Sequence, residues 1–119
     1  MAQFSVYQNK NKATKARYPF LLNTQNDLLA SLQTCVVVPL IKVEAMAHNP
    51  MSRLTPILAV QGQNYCMMTP QLAGIHKREL GTVVEVLTAY QHDIVAVINF
   101  CLAAFNPLKD LSFVNSVIN

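Results

Sequence analysis

Only one segment of this sequence has the periodicity of a long helix, and it follows a series of short apolar runs. Between residues 83 and 105, apolar residues recur at helical spacing, at positions 83, 87, 90, 94, 97, 98, 101, 102 and 105. The β-branched run at 82–86 favours a last strand, so we expect the helix to begin near Thr88, where Gln91 completes a capping box. Asn106 followed by Pro107 ends the helix, because proline cannot continue it.

The sequence before this helix alternates apolar runs with turn residues. Residues 3–7 alternate with period two, and an apolar run resumes at 18–22, which predicts a hairpin with a long basic connection. The run CVVV at 35–38 suits a strand that is buried on both faces and stops at Pro39. Residues 54–60 and 65–69 predict a second hairpin, joined by four residues that include Gly62.

The stretch at 71–80 is ambiguous, and we expect Gly81 to break the chain after it. The sequence therefore predicts five to seven strands and one C-terminal helix, a mainly β fold.

Composition limits the kind of molecule this chain forms. A length of 119 residues fits one domain, and 52% hydrophobic residues with 13% charged ones exceed what a small monomer easily buries, so self-association is expected. No apolar run is long enough for a membrane span, and the N-terminus lacks the continuous apolar segment of a secretory signal. Three cysteines at unpatterned spacings fit buried thiols in a reducing compartment, so we expect a cytoplasmic protein.

No catalytic or metal-binding constellation is visible in the sequence. The three histidines and three cysteines show no local metal-ligand spacing, and none of the three glycines forms a phosphate-binding loop. Cys66 or Ser52 could meet His76 and Asp93 in space, but no nucleophile motif marks them. We therefore predict no catalytic residues, no metal, no cofactor and no enzymatic activity.

Positive charge is concentrated in one segment. Residues 1–26 hold four bases and no acid, whereas the remainder holds five bases and six acids. The four bases are Lys10, Lys12, Lys15 and Arg17. They suit a solvated loop, a contact with an acidic partner segment or, last, nucleic acid; few aromatic residues lie among them, so we expect no direct nucleic-acid binding.

Five motifs in register resemble the CcdB family of gyrase-poisoning toxins. They are QFSVYQNKNK at 3–12, NTQNDLL at 23–29, VVPL at 37–40, MMT at 67–69 and DIVAVINF at 93–100. The resemblance implies a homodimer of small antiparallel, barrel-like sheet domains with a wing sheet and a C-terminal helix. It also implies a non-enzymatic toxin that binds the A subunit of DNA gyrase, traps the complex with cleaved DNA, and is neutralised by a CcdA-like antitoxin.

The same resemblance suggests residues for these contacts. Gyrase-binding positions would be Asn99, whose amide matches the family, and Leu102, where the family usually has a larger aromatic. The family's terminal Trp-Gly-Ile aligns with Ala103, Ala104 and Phe105, none of which matches. A second apolar patch falls at Leu28 and Leu29, and we assign the antitoxin contact to the four bases named above.

The toxin domain is thus expected at 1–105, followed by an extension at 106–119. Within the extension, Leu111, Val114 and Ile118 recur at helical spacing, which predicts a segment that folds back over the helix end or across the dimer. Two alternatives to gyrase poisoning stay open. One is a homologue that only binds antitoxin, as a decoy or transcriptional co-repressor; the other is a ribonuclease toxin on the same barrel architecture.

Overall fold

The computed structural model describes residues 3–25, 31–46 and 53–105, and contains seven strands and one α-helix in that part of the chain. The strands are β1 (Ser5–Asn9), β2 (Phe20–Asn23), β3 (Thr34–Lys42), β4 (Ile57–Val60), β5 (Gln63–Met67), β6 (Ala73–His76) and β7 (Leu80–Val86). The helix is α1 (Gln91–Phe105), and a 3-10 turn at Thr88–Tyr90 precedes it. The expected mainly β fold with one C-terminal helix is confirmed.

All seven strands belong to one antiparallel sheet. Six of them follow the order β4-β5-β3-β2-β1-β7, and β6 pairs with β3 outside that order. The sheet branches at β3, whose first half pairs with β6 and whose second half pairs with β5, so the expected wing is continuous with the main sheet. The sheet also curls: the backbone N–H of Gln61, beyond β4, donates to the Glu85 carboxylate on β7, 3.2 Å away. The two ends of the strand order therefore meet, which gives the barrel-like shape.

The curled sheet and α1 enclose the main core. Buried side chains from five strands, β1 to β5, together with Ile94 of α1, form one cluster: Val6, Leu22, Val38, Leu40, Leu58, Val60, Met67 and Ile94 are among its members. On the opposite face of β3, Cys35 and Val37 pack with Leu21 in a second cluster. β3 is therefore buried on both faces, as its unbroken apolar run predicts. All three cysteines are buried and unpaired, also as expected.

The prediction that β3 stops at Pro39 is wrong, because the strand continues to Lys42. Pro39 pairs with Leu21 of β2, and its carbonyl accepts from the Met68 N–H at 3.0 Å on the opposite side. The C=O and N–H of one residue in an antiparallel strand point to the same side, so an N–H at position 39 would point to the side on which β5 and β6 pair with β3. The partner of β3 on that side changes from β6 to β5 at this position. The missing donor falls at this change of partner, where proline removes no ladder hydrogen bond.

Gly81 does not break the chain either, since it lies inside β7. A Cβ atom at this position would lie 3.0 Å from both Cβ and O of Gln8 on β1. The β1–β7 pairing shifts register beside it, between Tyr7 and Asn9. Glycine here permits close approach of the β1 and β7 backbones. From the sequence alone, the same glycine is interpreted as a chain break.

The second hairpin is confirmed, with a tighter turn than the expected four residues. Only Gln61 and Gly62 lie between β4 and β5, with φ angles of 53° and 77°. Two consecutive positive φ values define the two-residue turn whose twist matches paired antiparallel strands.

Candidate partner-binding surfaces

Helix α1 is apolar on both sides, although only one side is covered. Its inner stripe, defined here as Ile94, Ile98 and Cys101, repeats at helical spacing; Ile94 and Ile98 contact the main core, and Ile94 and Cys101 are buried. Its outer face, defined as Val95, Ala96, Asn99, Leu102 and Ala103, is exposed. A surface helix normally carries polar residues on the side away from the core, whereas Asn99 is the only polar residue among these five, and the next polar residue on that side is exposed His92 in the first turn. This composition is typical of a helix that binds a partner.

Two large side chains dominate the outer face. Val95 is 39% exposed and Leu102 is 48% exposed. They are seven residues apart, and Asn99 lies between them, so the three side chains form one row along the helix. The predicted contact residues Asn99 and Leu102 therefore share a face, with Ala103 beside them. Ala104 and Phe105 belong to the last turn of α1 but their side chains, like Leu28, Leu29 and the extension at 106–119, lie outside the described residues.

An aromatic–cation pair borders this face. The guanidinium of Arg53 lies 4.5 Å from the ring centre of Phe100, close enough for a cation–π interaction. The side chain of Arg53 comes from the segment before β4, so the pair joins the sheet region to the helix. It also brings a positive charge to the border of an otherwise uncharged surface.

The second candidate surface is the basic loop, defined as residues 10–19 between β1 and β2. Its conformation is held by Asn9, which is only 7% exposed. The Asn9 amide donates to the Thr14 hydroxyl at 3.0 Å and to the Tyr18 carbonyl at 2.9 Å, and its oxygen accepts from the Asn11 N–H. One buried side chain thereby organises both ends of the loop.

Glu79, just before β7, also holds the basic loop in place. The Asn11 amide donates to the Glu79 carboxylate at 2.8 Å, and the Lys10 N–H donates to the Glu79 carbonyl at 2.9 Å. Glu79 lies just before β7, so the loop is fixed to the edge of the sheet. The backbone of the basic loop is consequently fixed relative to the sheet, and its bases project from defined backbone positions.

The four bases of the loop are all exposed, as their sequence context predicts. Lys10, Lys12 and Lys15 line one open hollow together with Pro19 and Phe20. Arg17 differs from them, because its guanidinium lies 5.6 Å from the Tyr18 ring and its Nε donates to the Tyr18 hydroxyl. The structure thus brings three of the four bases together, with the fourth held nearby.

A cavity of about 210 Å³ lies behind the loop, on the outer side of the sheet. Its floor is apolar, formed by Leu21, Val37, Pro39, Ala73 and Ile75. Asn9, Asn11 and Glu79 at its rim already satisfy one another or the loop backbone through the hydrogen bonds above.

Titratable groups in the core are kept neutral by burial. Burial raises the pKa of the Cys66 thiol, and it raises the pKa of Cys35 despite the opposing charge of Lys77. For Tyr65, burial is again the main cause of the raised pKa, with the Glu44 carboxylate adding to it. Within residues 3–25, 31–46 and 53–105, no three His, Cys, Asp or Glu side chains are grouped so that they could hold a metal ion. No helix in the described ranges is long and apolar enough to cross a membrane.

Comparison with known proteins agrees with this architecture. The family model for the CcdB protein matches residues 3–103, and the chain therefore belongs to the CcdB family, a family of toxins from toxin–antitoxin systems. Among solved structures, it is similar to an endoribonuclease in complex with its cognate antitoxin from a mycobacterial species. That match has a TM-score of 0.68 at 16% identity, over 87% of this chain and 95% of the other.

A second similar structure is an endoribonuclease from a mycobacterial species. Its TM-score is 0.64 at 17% identity, over 87% of this chain and 91% of the other. At these identities the two structural matches show a shared fold only.

Sequence reasoning missed three elements of the two surfaces. Val95 could have been found, because it precedes Asn99 and Leu102 at helical spacing. The role of Asn9 had no signal beyond its place before a polar loop, and the Arg53–Phe100 pair joins residues that only the folded chain brings together.

Proposed function

We propose that this chain is a gyrase-directed toxin whose α1 outer face binds the A subunit of DNA gyrase and traps the enzyme with cleaved DNA. Membership of the CcdB family supports the gyrase target. The observation that carries the proposal is the outer face itself, where Val95, Asn99 and Leu102 form an exposed row on a helix whose other side is packed. The protein acts by binding alone, because a ligand that prefers one state of a cycling enzyme makes that state accumulate.

The proposed toxin is a homodimer. A twofold dimer presents two copies of the same helix face, which suits a target built from two A subunits around a twofold axis. The apolar excess of the sequence and the exposed apolar residues Val83 and Val86 on edge strand β7 support self-association.

A cognate antitoxin of the CcdA-like kind neutralises the toxin by wrapping a flexible segment around it. We assign the basic loop to this contact because Lys10, Lys12 and Lys15 surround one hollow, which favours an acidic segment. Similarity in fold to an endoribonuclease bound to its antitoxin supports an antitoxin partner in general terms.

The end of α1 departs from the family and should weaken the gyrase contact. Ala103 stands where the family typically has Trp, and a buried aromatic anchor contributes about 2 kcal/mol or more to an interface. The expected loss is roughly 30-fold in affinity. If this loss of affinity abolishes gyrase poisoning, the chain is a homologue that only binds antitoxin.

One observation favours a second candidate function, ribonuclease activity: the two structural matches are endoribonucleases. Such an activity would use the basic loop, where Lys10, Lys12 and Lys15 could hold phosphates and Glu79 lies beside Asn11.

Induction of the chain in two bacterial strains separates these functions. One strain carries wild-type gyrase and the other a toxin-resistant A subunit, and growth and trapped DNA breaks are followed in both. Arrest in the wild-type strain alone is the expected result. Arrest in both strains indicates another target such as RNA, and arrest in neither indicates the antitoxin-binding homologue.

A further inference from the structure

The cavity behind the basic loop combines an apolar floor with a polar rim. Its volume is about 210 Å³, which exceeds the roughly 150 Å³ of an apolar cavity that holds one benzene ring. The cavity is therefore large enough for one side chain of the size of leucine or phenylalanine.

The floor of the cavity is an apolar patch that crosses three neighbouring strands. Leu21 on β2 pairs with Pro39 on β3, and Val37 on β3 pairs with Ala73 on β6. Ile75 on β6 completes the patch. Ala73 is exposed, and Pro39 and Ile75 are partly buried, so the patch keeps apolar surface that the described part of the chain does not cover. An apolar side chain from a partner would bury this surface, which favours binding.

Two hydroxyl groups at the rim suit the backbone of a peptide. The Tyr18 hydroxyl accepts from Nε of Arg17 at 3.2 Å, and the Thr14 hydroxyl accepts from the Asn9 amide at 3.0 Å. Each hydroxyl has a proton of its own to donate, so both can bind a carbonyl oxygen at the rim. The cavity thus fits one residue of a peptide, whose side chain enters while its carbonyl stays at the rim.

The segments around the cavity have an excess of positive charge. Residues 9–25, 35–39 and 73–80 carry six lysine and arginine residues against one acidic residue, Glu79. The six bases are Lys10, Lys12, Lys15, Arg17, Lys77 and Arg78. The Glu79 carboxylate opposes this excess at the rim, where it accepts from the Asn11 amide at 2.8 Å. The excess favours a peptide with acidic residues on either side of its apolar one.

Two of these bases are close to the cavity itself. The Arg17 guanidinium lies 5.6 Å from the centre of the Tyr18 ring, and Tyr18 lines the cavity. The charge of Lys77 acts on Cys35, which packs with Ile75 of the floor. Positive charge therefore borders the cavity on both the loop side and the β6 side.

We propose that the cavity is an anchor site for one large apolar side chain of an acidic peptide segment. Asn9 lines both this cavity and the hollow that holds Lys10, Lys12 and Lys15, so one segment can reach both sites. Charge alone would accept any acidic segment, whereas the cavity requires an apolar residue at one position and so fixes the register of the segment. The identity of the partner rests on the antitoxin contact proposed above, but the preference of the cavity for an apolar side chain does not.

An NMR titration of the full-length chain with three synthetic pentapeptides tests the proposal. The first peptide has phenylalanine between two pairs of acidic residues, the second has alanine in place of phenylalanine, and the third has phenylalanine between glutamines. The first should bind about tenfold more tightly than the second, and its ring should shift the amide signals of Ala73 and Ile75. At low salt it should also bind about tenfold more tightly than the third.

A variant with a filled cavity tests the same site from the other side. Ala73→Phe places a ring over the floor and should lower the affinity for the first peptide about tenfold, to that of the second. Ala89→Phe is the matched control, because it makes the same substitution at an exposed position that does not line the cavity. This control should bind the first peptide as the parent chain does.

Two results overturn the anchor site. Equal affinities of the parent chain for the first two peptides show that the cavity takes no apolar side chain, even if the acidic peptides bind more tightly than the third. Equal affinities of Ala73→Phe and Ala89→Phe for the first peptide show that phenylalanine binds elsewhere. If the parent prefers phenylalanine but binds the first and third peptides equally, the cavity binds an apolar side chain and the acidic antitoxin segment proposed for the basic loop fails.

Discussion

The α1 outer face and the basic loop are both exposed, but they are built in opposite ways. The loop is charged and is held by the hydrogen bonds of Asn9 and Glu79, so its backbone is positioned before any partner arrives. The outer face is mainly apolar, with Asn99 among its members, and lies on a helix whose other side is packed. The difference indicates that charge at the loop guides and orients an acidic partner, whereas apolar burial at the helix supplies affinity.

The first prediction compares a buried residue and an exposed residue of α1, and concerns the largest change in stability. Ile94 is fully buried, so Ile94→Ala should lower the free energy of unfolding by about 2–5 kcal/mol. Leu102 is 48% exposed, so Leu102→Ala should change that free energy by no more than about 0.5 kcal/mol. Urea unfolding of both variants measures the difference. Similar losses in the two variants would show that Leu102 is part of the core.

The second prediction concerns affinity at the outer face. Leu102→Asp places a charge in the centre of the proposed gyrase contact and should weaken binding to the A subunit at least about 30-fold. Ile57→Asp is the matched control, because Ile57 is 40% exposed and lies on β4 instead of on the outer face. Calorimetry with the isolated A subunit measures both. Equal weakening by the two variants would contradict the assignment of the contact to α1.

A third prediction tests whether the basic loop is organised in advance. Asn9→Ala removes two donated hydrogen bonds and one accepted one at a buried position, and should lower the free energy of unfolding by about 1–3 kcal/mol. Amide exchange in residues 10–19 should become faster in the same variant. Asn64→Ala, at an exposed position on β5, is the control with an expected change of about 0.5 kcal/mol or less. Unchanged exchange in the loop would show that other contacts hold it.

Neutralising the loop should affect association more than stability. Replacement of Lys10, Lys12, Lys15 and Arg17 by Gln removes four exposed charges and should slow association with an acidic antitoxin segment about tenfold at low salt. The salt dependence of the rate should fall with it. Stopped-flow mixing measures both quantities. A variant that associates at the parental rate would place the antitoxin contact elsewhere.

The last prediction concerns Cys66, in the sheet between the two surfaces, and the smallest change in the free energy of unfolding. Burial raises the pKa of the Cys66 thiol, so above about pH 9 the unfolded chain loses this proton while the folded chain keeps it. The free energy of unfolding should therefore decrease as the pH rises through that range. Urea unfolding between pH 7 and pH 10 should show a shallower decrease for Cys66→Ala than for the parent. Parallel curves would mean that Cys66 does not contribute.

Much of this fold could be predicted from local patterns, and the failures have a common cause. The turn at Gly62, the strand at 82–86 and the helix through Cys101 follow from backbone preference and apolar periodicity. Local rules predict breaks at Pro39 and Gly81, yet both residues lie inside strands, where the neighbouring strand either changes or approaches closely. Pairing of that kind depends on residues distant in sequence.

The residues of the two candidate surfaces divide in the same way, into those with a local sequence signal and those that depend on tertiary contacts. Motifs and charge clustering point to Asn99, Leu102 and the bases of the loop, since these signals are local. The Arg53–Phe100 pair and the hydrogen bond from Asn11 to Glu79 depend on tertiary contacts that no local pattern contains.

A DNA-cleavage assay tests the proposal that the α1 outer face makes this chain a gyrase poison. Purified gyrase is incubated with supercoiled DNA and the full-length chain, the reaction is stopped with detergent, and linear DNA is measured. We expect linear DNA to accumulate with the parent chain and with Ile57→Asp but not with Leu102→Asp. Absence of linear DNA with the parent chain, or equal amounts with Leu102→Asp, would contradict it.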